Sequence, residues 1–327
     1  MAPTLEVQNL HVAYAAQSGE LWPALAGVRF NLSRGEILGI LGESGSGKST
    51  LAASLLRLLP SNGKIEQGSV LFEGLNLLEA PPQFLREIRG GRIGMIFQEP
   101  SSFLHPALQV GQQISDVLAA HESLARRALS ERTLEVLASV FPTDASRISR
   151  SYPHQLSGGQ RQRVLIAQAI ACRPSLVIAD EPTAALDPTT QQEILQLFRG
   201  LRQRLGLAMI LVTHNPFLLA DLADRILILY AGRIAEIGPT ATVLSAARHP
   251  YTEALLRCLP AEFGEHRSSR KAKLHVIEGD PPDLSLHARG CQFEPRCIDR
   301  MDICKRDEPS AAAVGELHDV ACFKFAG

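Results

Sequence analysis

Long hydrophobic runs are missing from this chain. No apolar stretch in its 327 residues reaches the roughly 18 that a membrane span needs, so any membrane role has to come through partners. An excess of one charge is missing too. The 33 Lys and Arg stand against 34 Asp and Glu, a formal net charge of −1, which removes the electrostatic footprint of a nucleic-acid binder. The opening Met1-Ala2-Pro3-Thr4-Leu5-Glu6 has no charged n-region feeding an apolar stretch, so no secretory signal is expected and the chain should stay in the cytosol. Sustained heptads are absent. The six cysteines include no Cys-x2-Cys pair of the zinc-ribbon kind, and in a cytosolic protein they argue for metal binding or burial over disulfides. What remains is an ordinary globular composition, long enough for one large domain plus extras.

Two glycine-rich segments stand out. Glu36-Ile37-Leu38-Gly39-Ile40-Leu41 reads as a buried strand and runs into Gly42-Glu43-Ser44-Gly45-Ser46-Gly47-Lys48-Ser49-Thr50; Leu51–Leu59 then reads as a helix stopped by Pro60. Strand, Gly-x4-Gly-Lys-Ser and helix make a phosphate-binding loop in its required context. Its glycines let backbone N–H groups face phosphates, Lys48 reaches the β- and γ-phosphates, Ser49 is a Mg²⁺ ligand, and the helix N-terminus adds partial positive charge. The alternative, a glycine turn with no ligand, leaves both flanks unexplained.

A second buried run, Leu176-Val177-Ile178-Ala179, ends in Asp180-Glu181-Pro182. A carboxylate at a strand end beside such a loop holds Mg²⁺, which assigns Asp180. Glu181 is then placed to polarise the attacking water as general base. The other glycine segment, Leu156-Ser157-Gly158-Gly159-Gln160, opens a helical stretch from Arg161 to Ile170, so Ser157 and the Gly158 and Gly159 amides form an anion site at a helix N-terminus.

With these motifs in this order, the sequence resembles the ATPase subunits of ABC transporters. Gln98, after Ile96-Phe97, matches the Q-loop residue of that family, a γ-phosphate sensor and Mg²⁺ ligand. Asp187, in Ala184-Ala185-Leu186-Asp187, matches the D-loop, and His214, in Val212-Thr213-His214-Asn215, matches the switch histidine. Tyr14, ending the alternating run Leu10–Tyr14, matches the aromatic that stacks on adenine; Trp22 is a rival, and a plain strand aromatic is the bland alternative. The resemblance implies an α/β fold: a P-loop NTPase (RecA-like) core with an N-terminal antiparallel β subdomain and an inserted α-helical signature subdomain at about 99–157. Ser101–Pro106 would line the groove that receives a permease's coupling helix. It also implies head-to-tail pairing, so that Gly42–Thr50 and Leu156–Gln160 serve two different ATP sites, each completed by a second ATPase subunit, identical or homologous.

The nucleotide domain is expected over 1–240 and its machinery to be complete by about residue 240. The remainder, 241–327, is read as a small Cys-rich extension with a polar linker at Glu265–Lys273. His249-Pro250-Tyr251-Thr252, Gly279-Asp280-Pro281-Pro282 and Cys291-Gln292-Phe293-Glu294-Pro295-Arg296-Cys297 resemble the C-terminal extension of the oligopeptide/dipeptide branch of ABC importers. Glu278 and the stretch His287–Gly290 depart from it where proline is usual. The resemblance implies a [4Fe–4S] cluster on Cys291, Cys297, Cys304 and Cys322, the usual four-thiolate set; zinc on the same thiolates, or on three with His318, is the alternative. Cys172 and Cys258 read as core or surface thiols. The implied role is the ATP-hydrolysing subunit of a peptide importer. It would lie peripherally on the cytoplasmic face of the inner membrane, with two permease subunits and an extracytoplasmic solute-binding protein as partners, and no nucleic acid. Uptake of nickel or another small solute is an alternative. A non-transport ABC ATPase is disfavoured by the single loop and single signature.

Overall fold

The computed structural model of the chain describes residues 3–258, 276–282 and 289–325. The linker Glu265–Lys273 and residues His287 and Ala288 lie outside the described residues. The strands are β1 (Leu5–Ala15), β2 (Leu21–Leu32), β3 (Ile37–Leu41), β4 (Gly63–Phe72), β5 (Leu75–Asn76), β6 (Ile93–Ile96), β7 (Leu176–Asp180), β8 (Ala208–Val212), β9 (Arg225–Tyr230), β10 (Arg233–Pro239), β11 (Ala312–Gly315) and β12 (His318–Val320).

Two sheets carry them. The first has the antiparallel order β2-β1-β4-β5; the second has the order β11-β12-β10-β9-β3-β8-β7-β6. Its centre, β9-β3-β8-β7-β6, is parallel. Strands β3, β7 and β8 are buried at all five positions, which is why they read as continuous apolar runs. Successive side chains nonetheless serve opposite faces. Ile37, Leu41, Met209 and Leu211 enter one core, shared with the helices. Leu38, Ile40, Ala208, Ile210 and Val212 enter the other, shared with the antiparallel sheet.

Helix α1 (Lys48–Leu55) follows β3, and α2 (Pro82–Ile88) follows β5. The sequence pattern extends the first of these to Leu59, before Pro60. It ends sooner because Arg57 is left-handed, with φ +53°, while Leu58 N–H donates to Ala53 O and Arg57 N–H to Ser54 O, a Schellman closure. Between β6 and the second glycine segment lie α3 (Pro100–Phe103), α4 (Val110–His121), α5 (Arg126–Val140) and α6 (Ala145–Arg150). Helices α7 (Gly158–Ile170), α8 (Pro188–Leu205) and α9 (Phe217–Ala220) complete the α/β core, followed by α10 (Thr240–Ser245) and α11 (Pro250–Arg257).

The C-terminal segment is joined to the core sheet. Strand β12 pairs antiparallel with β10, Glu236 opposite Val320, so the β11–β12 hairpin lengthens the sheet that carries the phosphate loop. The joint is clamped by Glu236, whose side chain is wholly buried. Its carboxylate accepts the backbone N–H groups of Arg248 and His249, at 3.0 and 2.9 Å, and faces His318 Nε2 at 2.8 Å. Phe293 wedges against Tyr230 and Tyr251, with ring centroids 5.2 and 5.4 Å away.

Candidate functional site

The C-terminal ends of four parallel strands gather the chemistry on one edge of the sheet. Strand β3 ends just before Gly42, β7 at Asp180, β8 just before Thr213 and His214, and β6 two residues before Gln98. Open α/β sheets bind ligands outside the carboxyl ends of their strands.

The loop Gly42–Thr50 needs its glycines. A Cβ on Gly42 would lie 2.2 Å from Leu229 O, and Gly47, with φ +101°, would bring one to 2.8 Å from Ala24 O. Gly47 caps α1 without any side-chain cap and without an acidic residue in the first turn, so the helix's N–H groups and its positive end remain available for an anion. Lys48 is folded back, its Nζ donating to Gly42 O and Glu43 O, both at 2.9 Å. Burial lowers its pKa, while Glu181, Asp180 and Glu43 pull it back up.

Asp180 is 7% exposed, and its Oδ1 has no hydrogen-bond partner. Burial raises its pKa; a hydrogen bond from Ser49 and the charge of Lys48 oppose that rise, and Glu181 adds to it. The Ser46 hydroxyl, in the loop, is likewise buried and unpartnered. A carboxylate oxygen and a hydroxyl left unsatisfied beside a free helix N-terminus fit a site that closes around Mg²⁺ and phosphate. Glu181 has the left-handed backbone φ of +48°, rare for a residue with a side chain, and its N–H donates to Val212 O. Its carboxylate lies 3.0 Å from His214 Nδ1 through both oxygens. Gln98 lies exposed beyond β6.

Tyr14 reaches this loop from β1, its hydroxyl 3.0 Å from Thr50 Oγ1. Trp22 is its cross-strand partner and is 43% exposed. The two candidate adenine platforms therefore stand side by side.

The second glycine segment is occupied by its own helix. Ser157 Oγ accepts Gln160 N–H at 3.2 Å, and Gln160 Oε1 accepts Ser157 N–H at 3.1 Å, a complete capping box on α7. Gly159 lies tightly under α8: a Cβ there would sit 2.5 Å from Thr190 Cγ2. Asp187 caps α8, accepting Thr190 N–H and Oγ1–H at 3.0 and 2.7 Å, bonds that hold its carboxyl below the usual range. Ser157, Gly159 and Gln160 open onto a cavity of about 400 Å³; among the described residues lining it, none comes from Gly42–Thr50.

Cys291, Cys297, Cys304 and Cys322 line one small cavity beneath Phe293. Cys291 N–H donates to Cys304 O at 2.8 Å. Burial pushes the Cys291 thiol up to about 11 and raises Cys297 and Cys322 as well, with the neighbouring thiols adding to each rise. Among the described residues no group of three or more His, Cys, Asp or Glu is spaced to hold a metal ion. His318, the alternative zinc ligand, is instead the partner of Glu236, a buried carboxylate that needs the donor. Cys172 is a half-buried thiol raised to about 11 by burial, and Cys258 follows α11.

Two residues beyond position 240 reach the loop Gly42–Thr50. Tyr251 Oη accepts the Glu43 N–H at 2.9 Å, and the Arg296 guanidinium forks onto the Glu43 carboxylate at 2.7 and 3.0 Å. Both residues sit within tail segments visible in the sequence, but nothing local marks them as neighbours of a loop more than two hundred residues away.

Residues 25–184 match the family model described as ABC transporter, and residues 235–304 match that described as oligopeptide/dipeptide transporter, C-terminal region. The chain is 40% identical over 324 residues to the dipeptide transport ATP-binding protein DppD of Bacillus subtilis (strain 168), spanning 99% of this chain and 95% of that one. It is 41% identical over 321 residues to the oligopeptide transport ATP-binding protein OppD of Salmonella typhimurium (strain LT2), spanning 98% and 93%. A solved structure of the ATP-binding cassette MJ0796, a dimer in a post-hydrolysis state bound to ADP and Pi, superposes with a TM-score of 0.64 at 31% identity, covering 72% of this chain and 98% of that one.

Proposed function

Because this chain belongs to the ABC transporter ATPases of the dipeptide and oligopeptide type, we propose that it drives peptide uptake by hydrolysing ATP at a site built on Gly42–Thr50. The observation that carries the site is the pairing of Glu181 with His214 beside the loop and the unsatisfied Asp180.

ATP lies with its phosphates in the loop, its base toward Tyr14. Lys48 leaves the Gly42 and Glu43 carbonyls for the β- and γ-phosphates. Ser49, Asp180 and Gln98 would hold Mg²⁺, which supplies charge neutralisation at the phosphate oxygens. Glu181 takes the proton of the attacking water as the water oxygen bonds to the γ-phosphorus and the bond to the β,γ-bridging oxygen breaks, leaving ADP and phosphate. His214, held by Glu181, senses the γ-phosphate. The Ser157–Gln160 segment of one subunit covers the γ-phosphate of the other, and Asp187 lies at that joint, so each site needs a second ATPase subunit. Support for the split comes from the separate cavities of the two glycine segments.

Peptides are the cargo by likeness to relatives named for dipeptide and oligopeptide transport. Two permease subunits dock where Phe103, 48% exposed, stacks on Phe97 at 4.0 Å, and an extracytoplasmic solute-binding protein feeds them. The subunit then lies on the cytoplasmic face of the membrane. The domains divide at about residue 240. The four thiols in one cavity have the donor chemistry of a [4Fe–4S] site, and a cluster spreads its ligands wider than a single ion does. Protein purified without air that contains zinc and no iron or sulfide overturns that assignment.

The test is reconstitution of the whole importer in vesicles. Peptide should stimulate ATP hydrolysis and be taken up, and Glu181→Gln should lower turnover by about 10²–10⁴ while ATP still binds. Uptake of nickel or another solute in place of peptide overturns the cargo; near-normal turnover in Glu181→Gln overturns the base.

A further inference from the structure

Glu43 is an awkward residue to find in a phosphate loop. It follows Gly42 directly, and its charge is felt by Lys48. A bare carboxylate there repels the phosphates the loop is built to hold. The fork from Arg296 removes that difficulty. The Arg296 side chain is 5% exposed, and its pairing with Glu43 raises the guanidinium pKa. Surface ion pairs contribute little, but a bidentate pair this sheltered from water fixes both charge and geometry.

We infer that Arg296 is a positioning residue for the phosphate loop, so that the C-terminal extension is a working part of the ATP site. The inference rests on the reading of Gly42–Thr50 as the ATP site. Three contacts carry it. The guanidinium neutralises Glu43 and fixes its carboxylate through two bonds. Tyr251, wholly buried, accepts the Glu43 N–H, so the backbone of the same residue is held from the tail as well. Arg296 also donates to Glu278 O at 3.1 Å and Tyr230 Oη at 3.3 Å, which ties down the strand of chain leading to Pro281 and Pro282. Those prolines share a small cavity with Glu43, Ser44, Gly45 and Ser46. A planar fork with five N–H donors in fixed directions serves all these acceptors together; a lysine carries three donors on one nitrogen and cannot present two parallel bonds to a carboxylate from separate atoms.

The test is calorimetric titration of Mg-ATP into the full chain carrying Glu181→Gln, with melting temperatures recorded on the same samples. Arg296→Ala should raise the Kd by about 30-fold, the low end of what losing one partner of a sheltered charge pair costs. Adding Glu43→Gln should bring it back to within about threefold, because the orphaned charge is gone. A purely structural role predicts no such recovery. Arg296→Lys keeps the charge and loses the fork, and should fall between; it carries the comparison if Arg296→Ala melts below the assay temperature. A Kd within about twofold for Arg296→Ala, or a loss that tracks melting temperature and is not relieved by Glu43→Gln, overturns the proposal. Lys48→Ala separates the two failures. If it abolishes binding while Arg296→Ala changes nothing, only the inference falls; if it too changes nothing, the reading of Gly42–Thr50 falls first.

Discussion

Glu181 pays for its position with backbone strain. A non-glycine residue at φ +48° costs on the order of 1–3 kcal/mol, and here it aims a carboxylate at His214 from the end of a fully buried strand. Both residues stood out in the sequence, each just past an apolar run, but their 3.0 Å contact joins positions 33 residues apart and had no local signature. Tyr14 is a similar case. Its place at the end of an alternating run was legible; its bond to Thr50 was not. If Tyr14 stacks on adenine, Tyr14→Ala should weaken ATP binding by about tenfold, since base–aromatic stacking is worth roughly 1–3 kcal/mol. Tyr14→Phe, which loses only the hydroxyl contact, should stay within about threefold. Trp22→Ala tests the rival, and a larger loss there than at Tyr14 reverses the assignment. The measurement is equilibrium titration with ATP.

Elements were legible where burial is two-sided. The runs Ile37–Leu41 and Leu176–Asp180 form central parallel strands because every apolar side chain in them meets one core or the other. Strands β11 and β12 were missed: four and three residues, with little periodicity, ordered by pairing with each other and by β12 on β10. Ser157–Gln160 carries two patterns at once. Its glycines suggested an anion site, whereas Ser-x-x-Gln is also a capping box, and that is the bond formed. In the antiparallel sheet, β1 carries an irregularity around Asn9, and Gly68 of β4 lies across from it. Gly68 has φ +106°, and a Cβ would approach Asn9 O, Gln8 O and Leu10 Cα at 2.5–2.7 Å, all of them backbone. Gly68→Ala should therefore destabilise the fold by about 3 kcal/mol, seen as a lower urea midpoint. An unchanged midpoint contradicts this account of the bulge.

At the scale of the whole molecule, the tail is bolted to the core through buried polar groups, and that makes the joint sensitive to acid. His249 is 4% exposed; burial drives its pKa down from 6.5 to about 4, against the opposing pull of Glu236. Its Nδ1 accepts the Tyr251 N–H, a bond the protonated ring cannot make. Unfolded chain binds the proton below about pH 6.5, and folded chain only near pH 4. This group's contribution is thus complete above about 6.5 and is lost as pH falls toward 4, by roughly 3 kcal/mol in all. Denaturation midpoints measured across that window should fall, and His249→Gln should flatten the slope. A slope unchanged in the variant removes His249 as its source.

The sequence by itself determined the engine: the loop that takes phosphate, the acidic strand end, the second glycine segment, and the branch to which the tail belongs. These are short, contiguous patterns whose chemistry follows from residue type and spacing. Only the tertiary structure decided that the tail touches the loop Gly42–Thr50. Arg296 meets Glu43, and Tyr251 its N–H, because β12 pairs with β10 and Phe293 packs on Tyr230. Such contacts bring together residues more than two hundred positions apart, and they are specified by the packing of the whole chain and by no local pattern.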